Sequence, residues 1–289
     1  MSNQPQARNA AQELLRIKAV TPFLGAEVEG IDLSCQLDAQ TREQIRLALL
    51  EHEVLVFRGQ DLTLDQYVAF GQIFGEVQAS AKSFFDKHDS HPFVEVLEND
   101  AQRPPSINVW HSDITWQKEP PLGSCNYVRA LPEVGGDTMW ASMTAAYDRL
   151  SPSMQAYLAD KQAVHTWEKS GFTEYLQSKG GEQYRAAQAK YPPVVHPVIR
   201  THPETGKKIV YVNQTFTSHI VGVSREESEA ILGYLYQLPR LPELQVRFRW
   251  EKDSIVVWDN RSTQHYAVAD YFPHHRKLFR MTIGGDAPF

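Results

Sequence analysis

At 289 residues, 42% hydrophobic and 22% charged, the chain has an ordinary globular composition and is long enough for a sizeable core. Its net charge of −6, with basic residues scattered, excludes a nucleic-acid surface, which needs a basic stripe to neutralise phosphates. No run approaches the roughly 18 apolar residues of a membrane span, residues 1–9 lack a secretory-signal pattern, and Cys35 and Cys125 have no metal-ligand spacing, so a reduced, cytoplasmic protein is expected.

Residues 1–12 read as a frayed or weakly helical start. Ile17 to Ile31, broken by Pro22 and Gly25, reads as short strands, and Thr41 to His52 has a helical period through Ile45, Leu47, Ala48 and Leu49. Val54–Phe57, closed by Arg58-Gly59, is a short apolar run and a buried strand. Thr63 followed by Gln66 is a capping box, opening a helix that carries Tyr67, Phe70, Ile73 and Phe74. Between Gln78 and Trp110 one strand, Phe93–Leu97, stands in loop-like sequence.

From Cys125 to Trp140 two strands flank Pro132 and the Gly135-Gly136-Asp137 turn, and Ser151-Pro152 starts a helix with proline at its first position. Val194 to Ile220 reads as strands interrupted by a hairpin turn, His202-Pro203-Glu204-Thr205-Gly206. Ser224 with Glu227 caps a helix bearing Ile231, Leu232, Leu235 and Tyr236. Gln245–Trp250 and Ser254–Trp258 read as paired strands joined by Glu251-Lys252-Asp253, and Met281–Ile283 as a last short strand. Without repeats, low-complexity tracts or linkers, residues 1–289 are expected to form one domain, mainly β with helical cover, on a double sheet. The regular strand–helix alternation of a doubly wound parallel sheet is missing.

Trp110-His111-Ser112-Asp113 is the sharpest local feature. On an extended segment residues i and i+2 share a face, so His111 and Asp113 can reach one ion. Such a pair is also common by chance, as a half-buried histidine beside a loop cap. A third ligand must come from elsewhere: His265 follows the strand Ile255–Trp258 and the turn Asp259-Asn260-Arg261-Ser262-Thr263-Gln264. His196, His202, His274 and His275 compete with it, and periodicity does not choose among them. Two imidazoles and one carboxylate on one octahedral face leave three positions open, which suits non-haem iron(II) taking up oxygen and a co-substrate. Arg276 and Arg280 have even separation on the returning strand, so both can point inward, where a guanidinium needs an anion. On the surface, where arginines usually lie, they need none.

The sequence resembles the taurine dioxygenase family, the bacterial group that also includes aryloxyalkanoate and alkylsulfate dioxygenases. The resemblance runs from Leu24-Gly25-Ala26-Glu27-Val28 to Gly284-Gly285-Asp286. Its most specific pieces are Trp110-His111-Ser112-Asp113, Gly135-Gly136-Asp137-Thr138, Tyr211-Val212-Asn213 and the run from Trp258 to Tyr266, closed by Arg276 and Arg280. It implies a double-stranded β-helix, or jelly roll, with helical insertions, and His111, Asp113 and His265 as ligands of Fe(II). It gives Arg276, helped by the Thr138 hydroxyl, the distal carboxylate of 2-oxoglutarate, and gives Arg280 the anionic head of the primary substrate. With O2 as second co-substrate, the implied reaction hydroxylates a small anionic organic molecule: an alkyl sulfonate, a sulfate ester or a carboxylate such as an aryloxyalkanoate. Succinate and CO2 are formed, and hydroxylation beside a heteroatom collapses to an aldehyde or ketone and a released anion. Asp113 fills the position a halide would need, which disfavours halogenation.

In the substrate pocket the chain departs from the taurine-specific members. These carry a His and a Tyr shortly after the equivalent of Phe74-Gly75-Glu76, and an Asn four residues before the first ligand. Here Ser80, Ser83 and Ile107 take those places. A small zwitterion loses polar partners there, so the resemblance points to a more apolar substrate. Phe216 is kept and is expected to line the pocket. The resemblance also implies a homo-oligomer, dimer or tetramer, although no sequence stripe marks an interface. Two other classes fit the same ligands: a zinc hydrolase, indifferent to oxygen and 2-oxoglutarate, and a non-catalytic jelly-roll protein that binds small anions.

Overall fold

A short antiparallel ribbon begins the computed structural model, which describes residues 15–78, 86–178 and 180–289. It consists of β1 (Arg16–Ala19) and β2 (Ala26–Glu29). Helix α1 (Ala39–His52) starts on Asp38, whose carboxylate accepts from the Thr41 amide at 2.7 Å, and turns Ile45, Ala48 and Leu49 inward. Glu53, at φ 62°, ends α1 and hands the chain to β3 (Val54–Phe57). The capping box of Thr63 and Gln66 is present and opens α2 (Leu64–Gly71), which stops before Ile73 and Phe74. There follow β4 (Val77–Gln78), β5 (Asp86–His88), β6 (His91–Asn99), β7 (Gly123–Ala130) and β8 (Thr138–Ser142).

The middle of the chain supplies α3 (Met143–Asp148), α4 (Pro152–Leu158), β9 (Gln162–His165), α5 (Phe172–Ser178), α6 (Gly181–Lys190) and β10 (Val194–Pro197). After these come β11 (Ile199–Thr201), β12 (Lys208–Val210), β13 (Thr217–Ile220) and α7 (Arg225–Leu235). The closing segment adds β14 (Gln245–Phe248), β15 (Ile255–Asp259), β16 (Thr263–Ala267) and β17 (Arg276–Ile283).

The larger sheet runs β1-β2-β3-β15-β7-β17-β6-β5, with β4 on β17, and the smaller runs β14-β8-β16. Val54, Val56, Val256, Trp258 and Leu278 of the larger sheet pack with Trp140, Val246 and Phe248 of the smaller. On the opposite face Leu55, Phe57, Ile255, Val257 and Met281 pack with Ile45, Leu49, Tyr67 and Phe70 of α1 and α2. Covered on both faces, β3 and β15 are buried at every position, so they read as unbroken apolar runs instead of alternating ones. A third cluster, including Met143, Leu158, Ile209, Leu232 and Leu235, fills the space beneath the inserted helices. The architecture is a double-stranded β-helix, mainly β with helical cover, as the sequence predicts.

Several local expectations need correction. β14 and β15 are not partners: β14 pairs with β8 in the smaller sheet, and β15 lies between β3 and β7 in the larger. Two strand-like runs with a three-residue link carry the local signature of a hairpin, but here the turn, with Asp253 at φ 57°, carries the chain from one layer to the other. The last strand starts at Arg276 instead of Met281, and Phe93–Leu97 is the middle of the longer β6. The expected start over residues 1–12, and Ser80 and Ser83, lie outside the described residues.

Candidate metal centre and its cavity

Two stretches distant in sequence meet as an isolated antiparallel bridge between His111 and His265. The His111 amide donates to the His265 carbonyl at 3.1 Å and the His265 amide to the His111 carbonyl at 2.7 Å. Asp113, two residues on, is held by Asn260 of the turn between β15 and β16. Asp113 Oδ1 therefore lies 3.7 Å from His111 Nε2 and 3.8 Å from His265 Nε2, with all three residues buried. The histidines that compete for the third position are engaged elsewhere or exposed. His196 Nε2 is 2.9 Å from the Gln117 carbonyl and His202 Nε2 is 3.0 Å from Asp259 Oδ2. His275 pairs with Glu98, and His274 faces solvent.

The protonation pattern suits a cation. His111 Nδ1 lies 2.7 Å from the Val109 carbonyl, which sets that nitrogen as the donor and leaves the Nε2 lone pair facing the cluster. Burial lowers the pKa of His111; burial, then the neighbouring His111, push that of His265 down to about 3. For Asp113 burial acts upward, but the Arg280 guanidinium and the two imidazoles outweigh it and hold the carboxyl at about 2. Ser124 Oγ donates to its other oxygen at 3.0 Å. One carboxylate and two neutral imidazoles, with ligand atoms within 4.8 Å of one another, are a fitting donor set for a divalent transition metal, iron(II) included.

Beside the cluster, Arg276 is buried and donates through Nε to the Gly136 carbonyl at 3.0 Å and through Nη2 to Thr138 Oγ1 at 3.4 Å. Trp250 Nε1 also donates to Thr138 Oγ1, at 3.0 Å, so the hydroxyl proton is left to donate. Gly136 sits at φ 75°, and a Cβ there would come within 3.1 Å of Arg276 Cδ; the turn needs glycine for both reasons. Burial lowers the pKa of Arg276 against the opposing influence of Tyr271 and Asp137, and the Asp137 carboxylate is itself paired with Arg247 at 2.6 Å. Such a guanidinium is a receptor for an anionic group.

Arg280 differs. Glu95 Oε2 is 2.6 Å from both its Nε and its Nη2, and Nη1 is 3.4 Å from Asp113 Oδ1. A cavity of about 760 Å³ joins these groups, with Ile107, Val109, Ile114, Phe172, Phe216 and Leu278 as its apolar wall. The Phe216 ring meets the His111 ring edge to face at 6.2 Å, and its amide is tied to Asn213 Oδ1 at 2.9 Å. The structure thus brings together His111, Asp113, His265, Thr138, Arg276, Arg280, Phe216 and Ile107; Ser80 is not among the described residues.

Sequence reasoning missed Glu95 and Asn126, which flank Arg280. Each is a buried polar residue between apolar neighbours on its strand, Val94 and Val96 in one case and Cys125 and Tyr127 in the other. That interruption was the available signal.

Residues 16–282 match the model of the family described as "Taurine catabolism dioxygenase TauD, TfdA family". An alkylsulfatase from Acinetobacter baylyi is 35% identical over 288 residues, which span 96% of this chain and 87% of that protein. An alpha-ketoglutarate-dependent sulfate ester dioxygenase from Pseudomonas putida is 34% identical over 297 residues, covering 100% of this chain and 95% of that one. The crystal structure of a taurine dioxygenase from Burkholderia xenovorans superposes with a TM-score of 0.81 at 35% identity, covering 95% of this chain and 92% of the other. With its jelly roll, its buried His-Asp-His cluster and a match over nearly its whole length, the chain belongs to the taurine catabolism dioxygenase TauD, TfdA family.

Proposed function

We propose that this protein is an Fe(II)- and 2-oxoglutarate-dependent dioxygenase acting on a small anionic organic substrate with an apolar body: an alkyl sulfonate, a sulfate ester or a carboxylate. The observation that carries the proposal is the convergence of His111, Asp113 and His265 beside a buried Arg276 whose neighbour Asp137 is itself paired with Arg247. A hydrolytic metal site needs no second anion receptor of this kind; a dicarboxylate co-substrate does.

Bound iron supplies the redox chemistry that couples O2 and 2-oxoglutarate to oxidation of a substrate C–H bond, with succinate and CO2 as co-products. The protein's part is placement. Arg276 and the Thr138 hydroxyl take the distal carboxylate of 2-oxoglutarate by charge-assisted hydrogen bonds. Arg280 orients the anionic head of the substrate, while Ile107, Val109 and Phe216 enclose the apolar body and keep water from the reacting carbon. Hydroxylation next to oxygen or sulfur gives a product that collapses to a carbonyl compound, releasing the anion. In this proposal residues 1–289 form one dioxygenase domain with helical insertions, working as a cytoplasmic homo-oligomer, a dimer or tetramer. No helix among the described residues is long and apolar enough to cross a membrane.

Anaerobic titration of the iron-loaded protein with 2-oxoglutarate, then a panel of organic anions scored for succinate, tests the proposal. Oxygen-dependent succinate release that disappears in His265→Ala supports it. Turnover without oxygen and 2-oxoglutarate assigns a zinc-type hydrolase instead, and anion binding without turnover, unchanged in His111→Ala, assigns a binding protein.

A further inference from the structure

The register of β6, β17 and β7 places Glu95 and Asn126 on either side of Arg280, in one row across the larger sheet. Residues directly opposite on antiparallel strands share a face, so the three side chains meet there. Glu95 is 1% exposed, and its oxygen Oε2 holds the Nε–Nη2 edge of the guanidinium. The other oxygen, Oε1, has no hydrogen-bond partner among the described residues. The same is true of Asn126 Oδ1, in a residue that lines the cavity.

This arrangement discriminates between anions. The two coplanar oxygens of a carboxylate fit best along one edge of a guanidinium, and Glu95 already occupies such an edge. Nη2 is shared with Glu95 and Nη1 lies 3.4 Å from Asp113 Oδ1, so the second edge of the guanidinium is not free for the two-pronged grip that a carboxylate prefers. A sulfonate or sulfate monoester spreads its charge over three oxygens in tetrahedral directions. One can approach Nη1 of Arg280 while another meets the Asn126 amide, which can turn its NH2 group toward it.

We propose that Glu95 and Asn126 make the cavity selective for tetrahedral oxyanions, sulfate esters or sulfonates, over carboxylates. Glu95 is a positioning residue that acts through Arg280, and Asn126 is a direct contact. The inference rests on the dioxygenase function and on Arg280 as the headgroup anchor, and it narrows the substrate class.

The test compares hexyl sulfate, hexane-1-sulfonate and heptanoate, matched in chain length, by kcat/KM for succinate release and by calorimetric Kd. In the wild-type protein both sulfur anions should be favoured over heptanoate by about tenfold or more, and their ratio separates ester from sulfonate. In Glu95→Gln the preference should shrink roughly tenfold, chiefly through a lower KM for heptanoate. Asn126→Leu should weaken the sulfur anions alone. Equal or better use of heptanoate by the wild type overturns the proposal, as does an unchanged preference in Glu95→Gln whose melting shows it folded. Should Glu95→Gln not fold, the wild-type ratio and Asn126→Leu still decide. Absence of succinate with every anion removes the dioxygenase function instead, and the calorimetric preference then tests the selectivity by itself.

Discussion

Asn260 grips the peptide groups on both sides of Asp113: its Oδ1 accepts from the Asp113 amide at 2.6 Å and its Nδ2 donates to the Asp113 carbonyl at 2.9 Å. Both residues are buried, and Nδ2 also reaches the Pro121 carbonyl at 3.3 Å. Asn260→Ala strands a backbone donor and acceptor, which costs about 2–4 kcal/mol. It also loosens the carboxylate, and metal affinity should fall roughly ten- to a hundredfold. Urea melts and metal titration check both; unaltered metal affinity means that Asp113 is fixed by other contacts.

His265→Ala should separate metal binding from folding, because the bridge to His111 uses backbone groups that the substitution keeps. Metal-free melting should stay within a few degrees of wild type, whereas the upward shift with Fe(II) or Mn(II) should vanish and turnover fall by about 10³-fold or more. Retention of the metal-induced shift would count against His265 as a ligand.

Arg276→Gln leaves the Gly136 carbonyl and the Thr138 hydroxyl in place but removes the cation. The KM for 2-oxoglutarate should rise about 100-fold, while that for the organic anion changes only a few-fold. Succinate assays with each varied in turn make the distinction, and an equal rise in both places Arg276 outside the co-substrate site.

Glu53 ends α1 almost fully buried, with Oε2 lacking a partner, and burial pushes its pKa from 4.5 up to about 8 despite the Ser142 and Thr144 hydroxyls. A carboxyl with a raised folded-state pKa contributes stability in full below the unfolded value of 4.5 and loses it as pH rises through about 8. Stability should fall across that window by an amount on the order of 3–5 kcal/mol, and Glu53→Gln should abolish this component. Chemical denaturation at pH 5 and pH 8.5 measures it; parallel losses in both proteins would show that Glu53 ionises freely when folded.

What could be read from sequence was whatever local chemistry determines. The box of Thr63 and Gln66 satisfies helix-end amides within four residues, and the runs Val54–Phe57 and Ile255–Trp258 announce strands covered on both faces. The ligand pair in Trp110-His111-Ser112-Asp113 was visible as spacing, but the choice of His265 came from the order of several motifs, because its backbone partner is 154 residues away. Long-range pairing hid the rest. Nothing in Gln245–Phe248 says that its partner is Thr138–Ala141 across the barrel. The role of Glu95 depends on β17 lying beside β6, a register that no window around residue 95 contains.

Because the two imidazoles hang from segments that hydrogen-bond each other directly, the separation of the points from which they reach is a backbone dimension, set when the sheets close. The centre is a gauge cut before any ion arrives. Conformational ordering is completed during folding, so capture of a cation is opposed chiefly by stripping its water. Cobalt(II), nickel(II) and manganese(II) should then seat in the same gauge without moving the strands.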